Sequence, residues 1–231
     1  MLTIDDIRGQ FIRNRPVDMS GKHITNSEIN SFGYRTSEFS DINWKESVVV
    51  FGCSNVFGIG LDIQDTVSSQ LEKLIGRPVI NMGIPAGSLR ATLHNQVSLH
   101  EIENSPYAIV NNWTSTYRTV GWRDGQDFPI HIGPWVLDPN IVQSADREPF
   151  RQYFTSEIVQ EENRIRNALL VKRTAGILWK ETRHVELTMF PDTQELFRVP
   201  MISYDDFASD RAHPGPRTIS KVAKFIADRL E

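Results

Sequence analysis

The sequence predicts one α/β domain built around a parallel sheet, and three observations support this. Short apolar runs rich in β-branched residues occur at 47–51, 78–81 and 107–110. Stretches with helical apolar spacing separate them, at 65–76 and 88–103. The chain has 231 residues, of which 39% are hydrophobic, enough to bury a sizeable core. Strands that alternate with helices in this way are typical of a doubly wound sheet with helices on both faces.

The first predicted strand, 47–51, is apolar on both faces, as expected for a strand inside a parallel sheet. Asp65 is predicted to cap the next helix and Gly76 to end it. The helix over 88–103 is predicted to turn its apolar residues inward, namely Leu89, Leu93, Val97 and Leu99.

The second half begins with a segment that has neither helical nor strand periodicity. Glycine, proline, aspartate and aromatic residues crowd together at 121–150, which predicts a long surface excursion. A helix over 154–177, with Ile158, Ile165 and Leu169 inward, and a fourth strand at 184–190 are predicted next. The last helix follows Pro214 and Pro216 and is predicted to bury Ile219, Val222, Ala223, Ile226 and Leu230. Residues 1–46 are predicted to be irregular and to wrap a single domain spanning 1–231.

Composition disfavours several classes of function. The chain has 25 basic and 29 acidic residues, and this net charge of −4 disfavours a nucleic-acid partner. No apolar run approaches about 18 residues and no secretion signal is visible, so we expect no membrane partner and a cytoplasmic location. The single cysteine cannot form an internal disulfide. No metal site is predicted. His94 and His100 are six residues apart, a poor fit to one helix face, and His131 and His184 lack nearby carboxylate or thiolate partners.

Two short segments carry the residues of a nucleophilic site. Ser54 directly follows the strongest predicted strand, at the edge of the sheet where open α/β folds bind ligands. Asp210 and His213 are three residues apart, so one turn can supply a general base and the carboxylate that orients it. The structural alternatives are that Ser54 caps a helix and that Asp210 caps a turn.

The order of these segments resembles the SGNH (GDSL-like) hydrolase family. Its first block is similar to residues 52–58 (GCSNVFG), its second to 81–83 with 86–88 behind, and its last to 210–213 (DRAH). Residues 30–35 (NSFGYR) resemble a lead-in found in some members, so the resemblance spans about 30–231. It implies a three-layer α/β/α sandwich of flavodoxin-like topology and a triad of Ser54, His213 and Asp210, with no cofactor. It also implies an oxyanion hole made by the N–H groups of Ser54 and Gly83, with Asn112 as the third donor.

The sequence departs from the family pattern at two places. Cys53 stands where the first block usually has aspartate, and Cys53 is itself an alternative nucleophile. Residues 110–118 (VNNWTSTYR) lack the third block, Gly-x-Asn-Asp, so Asn112 is the chosen counterpart of its asparagine and Trp113 the alternative. Loss of one oxyanion donor typically slows an enzyme by about 10²–10³.

The resemblance implies hydrolysis of a small acyl ester, and the aromatic residues after the third strand favour an O-acetyl group on a carbohydrate. Trp113, Tyr117 and Trp122 are the predicted stacking residues, and Arg118 is predicted to receive an anionic substrate group. One alternative is an inert module of the same fold, for example a phage virion component with a homo-oligomeric or virion assembly partner. The other is an O-acyltransferase, which would use the same triad.

Overall fold

Four parallel strands form the central sheet in a computed structural model, which describes residues 11–14, 24, 28–102, 105–121, 129–138 and 147–231. The described strands are β1 (Val48–Gly52), β2 (Val79–Gly83), β3 (Ala108–Trp113), β4 (Thr119–Gly121), β5 (Ile130–Ile132) and β6 (Arg183–Thr188). The sheet has the order β2-β1-β3-β6, and β4 and β5 form a separate antiparallel pair. This order confirms the predicted doubly wound, mainly parallel sheet.

The strands form where the sequence is apolar on both faces. Every residue of β1, β2 and β3 is buried, which only a sheet covered on both sides allows. Val48 lies opposite Val79 on one side and Ala108 on the other, and Gly52 lies opposite Gly83. The carboxyl ends of these three strands therefore meet at one edge of the sheet.

Helices cover both faces of the sheet and complete the three predicted layers. They are α1 (Ser54–Phe57), α2 (Val67–Ile75), α3 (Leu89–Glu101), α4 (Arg147–Tyr153), α5 (Glu161–Leu178), α6 (Pro191–Phe197) and α7 (Pro216–Leu230). On one face α2 and α7 pack together over a core that includes Val50, Leu71 and Val222. On the other face α3 and α5 pack together. The predicted inner residues of α7 are all buried, as its spacing indicated.

Two helix predictions need correction. The cap of α2 is Thr66 rather than Asp65, because the Ser69 N–H donates to Thr66 Oγ1; Gly76 does end the helix, at φ +64°. In α3 the buried face is more polar than predicted, since Asn95 and Gln96 are fully buried there. Leu93 and Val97 are only half-buried.

Hydrogen bonds explain why α3 can bury amides. Asn95 donates to Tyr34 Oη and accepts from the Ile12 N–H, and Gln96 is held by Asn111 and Trp179. A buried polar group is tolerated where its bonds are made. These bonds also fasten the N-terminal segment to the sheet domain.

The described part of that segment contains two short 3₁₀ helices, Phe39–Asp41 and Trp44–Glu46, and it packs against the domain. Arg35 is fully buried; its guanidinium pairs with Glu28 and donates to the carbonyl of Gly58, just behind α1. Arg35 thus supports the turn that carries Ser54.

The predicted excursion has a small core of its own in its described part. Ile132 and Val136 pack with Phe154 and Ile158, so this part is not only surface chain. The predicted helix over 154–177 is a π-helical turn at 154–158 followed by α5, whose buried residues are Ala168, Val171 and Ala175. Ile165 and Leu169 are only half-buried. No described helix is both long and apolar enough to cross a membrane.

Candidate active site

The turn between β1 and α1 places Ser54 at the carboxyl edge of the sheet. Ser54 is the first residue of α1, and its side chain is largely buried. At Gly52 an added Cβ would lie 2.4 Å from Val56 Cγ2 and 2.9 Å from the Asn112 carbonyl oxygen. Glycine is therefore needed there, because α1 folds back directly over the end of the strand.

A short loop over 206–215 carries the other two predicted residues. Its ends are joined by bonds from the Ala208 N–H to the His213 carbonyl (2.9 Å) and from the Gly215 N–H to the Asp206 carbonyl (3.0 Å). Arg211, at its tip, has φ +57°, a left-handed conformation that turns the chain sharply. The loop therefore brings Asp210 and His213 side by side.

Asp206 anchors this loop to α7. Its carboxylate accepts from the backbone N–H groups of Arg217 and Thr218 and from the Thr218 hydroxyl. Burial raises the pKa of Asp206, but these hydrogen bonds outweigh it, so that the pKa is lowered overall. The charged carboxylate also lies at the positive end of the α7 dipole.

The structure brings Ser54, His213 and Asp210 into one hydrogen-bonded row. His213 Nε2 lies 3.0 Å from Ser54 Oγ, and His213 Nδ1 lies 2.5 Å from Asp210 Oδ2. A carboxylate only accepts hydrogen bonds, so Nδ1 carries a proton, and Nε2 of the neutral ring is left to accept the Ser54 hydroxyl proton. This is the arrangement that a serine nucleophile requires.

The other carboxylate oxygen of Asp210 is held by the loop backbone. Oδ1 accepts from the N–H groups of Ala212 (3.0 Å) and His213 (3.1 Å). Burial raises the pKa of Asp210, while the bonds from Ala212 and from His213 lower it and prevail. Asp210 therefore stays ionised and fixed in orientation beside the imidazole.

Cys53, the alternative nucleophile, is buried beside Ser54, with its Sγ 4.0 Å from Ser54 Oγ. His213 Nε2 contacts the hydroxyl of Ser54, and no described hydrogen bond joins His213 to Cys53. The geometry thus favours Ser54 over Cys53 as the partner of the base.

The predicted oxyanion donors differ in availability. The Ser54 N–H lies at the start of α1, where no carbonyl of the same helix can accept it. The Gly83 N–H instead donates to Asn81 Oδ1 at 3.0 Å, so it can reach an oxyanion only after Asn81 releases it. Asn112 is buried, its Oδ1 has no partner among the described residues, and no described hydrogen bond joins Asn112 to Ser54 or His213.

The sequence analysis missed a polar contact beside Ser54. The Asn55 amide donates to Tyr204 Oη (3.0 Å) and approaches Met189 Sδ (3.6 Å), which links the turn that carries Ser54 to the chain after β6. Burial raises the pKa of Tyr204, although the Asn55 hydrogen bond acts against it. The position of Asn55 next to Ser54 was the only available sequence signal, since Tyr204 comes close only through the fold.

The predicted substrate-binding residues are placed differently from one another. Trp113 is 1% exposed, its ring meets that of Phe197 edge-on, and its indole N–H donates to Glu186. Because the indole is enclosed in the core, the prediction of Trp113 as a stacking residue or oxyanion donor needs correction. Tyr117 is exposed beneath the Arg164 guanidinium, and Arg118 is half-buried. The prediction for Trp122 lies outside the described residues.

Among the described residues, no group of three or more histidine, cysteine, aspartate or glutamate side chains is placed to hold a metal ion. His131 is half-buried near Arg118, and His184 contacts Asn111. The described site therefore consists of a serine, a histidine, an aspartate and backbone donors.

Comparisons with known structures find resemblances at low sequence identity. A G-D-S-L family lipolytic protein from Desulfitobacterium hafniense matches over 80% of this chain and 99% of its own, with 8% identity and a TM-score of 0.42. An acetyl xylan esterase from Butyrivibrio proteoclasticus matches over 82% of this chain, with 9% identity and a TM-score of 0.47. A carbohydrate esterase family 2 enzyme from Myceliophthora fergusii matches over 80%, with 14% identity and a TM-score of 0.45.

The last two matches span only 64% and 65% of those chains, which are longer than this one. No protein-family model and no curated protein matches the sequence. At these identities and TM-scores the resemblances do not establish an activity, which depends on the residues of the site itself.

Proposed function

We propose that the protein is a serine esterase that hydrolyses a small acyl ester, with Ser54 as nucleophile, His213 as general base and Asp210 as its orienting carboxylate. The observation that supports this most is the row from Ser54 Oγ to His213 Nε2 (3.0 Å) and from His213 Nδ1 to Asp210 Oδ2 (2.5 Å). The structural alternatives do not account for this row. A serine that only caps a helix needs no histidine beside it, and an aspartate that only caps a turn needs only its Oδ1.

In the first half of the proposed reaction, Ser54 Oγ attacks the ester carbonyl carbon while His213 Nε2 takes the hydroxyl proton. The ester oxygen leaves with that proton when the tetrahedral intermediate collapses, which gives the free alcohol and an acyl group on Ser54. Water, deprotonated by His213, then attacks the acyl group. This step releases the acid and restores the serine, so the cycle consumes one water and needs no cofactor.

The negative oxygen of the intermediate requires hydrogen-bond donors. The Ser54 N–H is the donor that we propose first, since it belongs to the nucleophile and begins a helix. Asn112 and Gly83 are proposed as the second and third donors, with Gly83 depending on release by Asn81. An O-acetyl group on a carbohydrate remains the predicted natural substrate.

Labelling with a fluorophosphonate tests the proposal, because such reagents phosphonylate an activated serine. We expect labelling at Ser54 in the native protein and none in Ser54→Ala or His213→Ala variants that keep the native circular dichroism and melting temperature. Asp205→Asn, at an exposed aspartate paired with Lys221, is the matched control and should label normally. Absence of labelling in the folded native protein would instead favour an inert module of this fold.

A further inference from the structure

A small polar cavity lies between α3, α5 and the chain after β3, and nothing in the proposed esterase chemistry uses it. Three arginines line it, together with two threonines and one asparagine: Arg90, Arg118, Arg164, Thr116, Thr119 and Asn167. Four apolar side chains complete its walls. We call it the arginine cavity. Its volume of about 20 Å³ leaves room for little more than one water-sized group.

Some donors in this cavity have no acceptor among the described residues, namely Arg118 Nη1, Arg164 Nε and Thr119 Oγ1, all of which are buried. The Nη1 of Arg164, in contrast, donates to Thr116 Oγ1 at 2.7 Å. Arg118 makes no hydrogen bond or ion pair with any described residue, and its guanidinium lies only over the rings of Trp135 (5.6 Å) and Phe190 (5.0 Å). Buried donors of this kind are costly to leave unpaired.

Arg35 shows how the same chain satisfies an arginine that has a structural role. Its guanidinium is fully buried, and it is neutralised by Glu28 and bonded to the carbonyl of Gly58. The arginine cavity has no such counter-ion, because none of the described residues that line it is acidic. Asp192, which bonds to the cavity wall, uses one oxygen for this: its Oδ2 accepts from the Thr116 N–H, the Thr116 hydroxyl and the Ser115 hydroxyl.

Arg118 also contacts the chain that packs against Asn55. Arg118 lies over Phe190, and Phe190 follows Met189, whose sulfur is approached by the Asn55 amide. Asn55 directly follows Ser54. Arg118 is therefore connected through Phe190, Met189 and Asn55 to the turn that carries Ser54.

We propose that the arginine cavity binds the carboxylate group of a small organic acid. A guanidinium presents N–H donors in a planar fork that matches the two oxygens of a carboxylate. Only the oxygen end of a planar carboxylate would enter so small a space, with the rest of the acid outside it, whereas tetrahedral phosphate or sulfate is too bulky. The carboxylate belongs either to the ester substrate, a case that rests on the proposed esterase function, or to a separately bound acid.

Calorimetric titration of benzoate into the Ser54→Ala protein, at low chloride, tests the site without requiring catalysis. We expect saturable binding that weakens about ten- to a hundredfold in Arg118→Met, which removes charge-assisted bonds but keeps a long side chain. Arg164→Met should weaken it similarly. Arg166→Met is the matched control on the same helix, since Arg166 is exposed and pairs with Glu162, and it should bind normally.

Thr119→Val keeps the proposal testable if the arginine variants do not fold, because it removes only an unpaired hydroxyl. It should weaken benzoate binding severalfold at unchanged melting temperature. The proposal is overturned if the Ser54→Ala protein does not bind benzoate, if these variants bind it unchanged, or if chloride or phosphate binds as tightly.

Kinetics of a neutral ester then distinguish the two sources of the carboxylate. Competitive inhibition by benzoate, lost in Arg118→Met, assigns the cavity to the substrate. Benzoate binding without competition assigns it to a separate acid. If no ester is hydrolysed at all, the esterase proposal fails while the binding result still stands.

Discussion

Replacing Asp210 by asparagine should abolish most activity while leaving the fold intact, because the loop backbone dictates how the new amide must sit. In the native loop Oδ1 accepts from the N–H groups of Ala212 and His213. The amide oxygen of the introduced asparagine would keep both bonds, so its NH₂ group would face His213 Nδ1. That nitrogen must then accept, the ring proton moves to Nε2, and His213 can no longer take the proton of Ser54.

The same exchange in a serine-protease triad lowers kcat by about 10⁴, or about 5 kcal/mol of transition-state stabilisation. We expect a loss of that order in kcat/KM for p-nitrophenyl acetate. KM should change little, because Asp210 lies behind the imidazole. Asp210→Ala should lose as much activity and also melt lower, because it no longer caps the loop.

Asp205→Asn again serves as the control and should keep kcat/KM within about twofold, since exposed ion pairs contribute little. A folded Asp210→Asn protein that retained activity within about tenfold of the native protein would refute the assignment of His213 as a base oriented by Asp210.

Three further predictions concern the groups around the site. Burial, aided by the charge of Arg118, lowers the pKa of His131 to about 4, against about 6.5 when unfolded. Because the unfolded chain then binds the proton more readily, the free energy of unfolding should fall by up to about 3 kcal/mol as the pH drops from about 6.5 to about 4. In urea unfolding, the His131→Asn variant should show a flatter dependence of this free energy on pH. An unchanged slope would contradict this. Asp206→Ala should destabilise the protein by about 1–2 kcal/mol and lower kcat, because α7 loses its capping carboxylate; normal melting and kcat would argue against an anchoring role. Arg35→Met should lower the free energy of unfolding in urea by about 3 kcal/mol, because Glu28 is left unpaired. The control Arg77→Met, at an exposed pair with Glu46, should lower it by less than about 1 kcal/mol.

The sheet could be predicted because its signal is local. Three consecutive valines and Phe51 in β1 have no polar face, and only a doubly covered strand accepts that pattern. The last helix, α7, could be predicted for the same reason, since its apolar stripe alone determines which side is buried.

Predictions failed where burial depends on a partner from elsewhere in the chain. Because Asn95 and Gln96 are polar, the apolar spacing of α3 predicted them on its solvent side. Hydrogen bonds to Tyr34 and Trp179 instead allow both amides to be buried in the core. Trp113 was predicted at the site because it follows the predicted third strand, 107–110. It is instead the last residue of β3, and its ring meets that of Phe197. Its position in the sequence gives no information on which face of the sheet the ring will occupy.

The candidate site was only partly predictable for a related reason. Residue type and order suggested Ser54, Asp210 and His213, because a nucleophile, a base and an orienting acid are chemically distinctive. The state of the Gly83 N–H depends on the rotamer of Asn81, and the arginine cavity depends on donors left without acceptors. Neither property can be recognised from residue types alone.

The distance between Ser54 and His213 is maintained mainly by contacts that take no part in the chemistry. The loop that bears His213 is fastened at one end by Asp206 to α7, and in the middle by Ser209, whose hydroxyl donates to the Gly60 carbonyl. An added Cβ at Gly60 would lie 3.0 Å from Ala208 Cβ and 3.2 Å from Asp210 Cγ, at a φ of +77° that disfavours any side chain. Glycine at 60 therefore lets the loop approach the chain just after α1. Arg35 holds Gly58 from the other side. Ser54 and His213 are thus each positioned by contacts with residues other than each other and Asp210. The single hydrogen bond of 3.0 Å between them therefore need not hold them together.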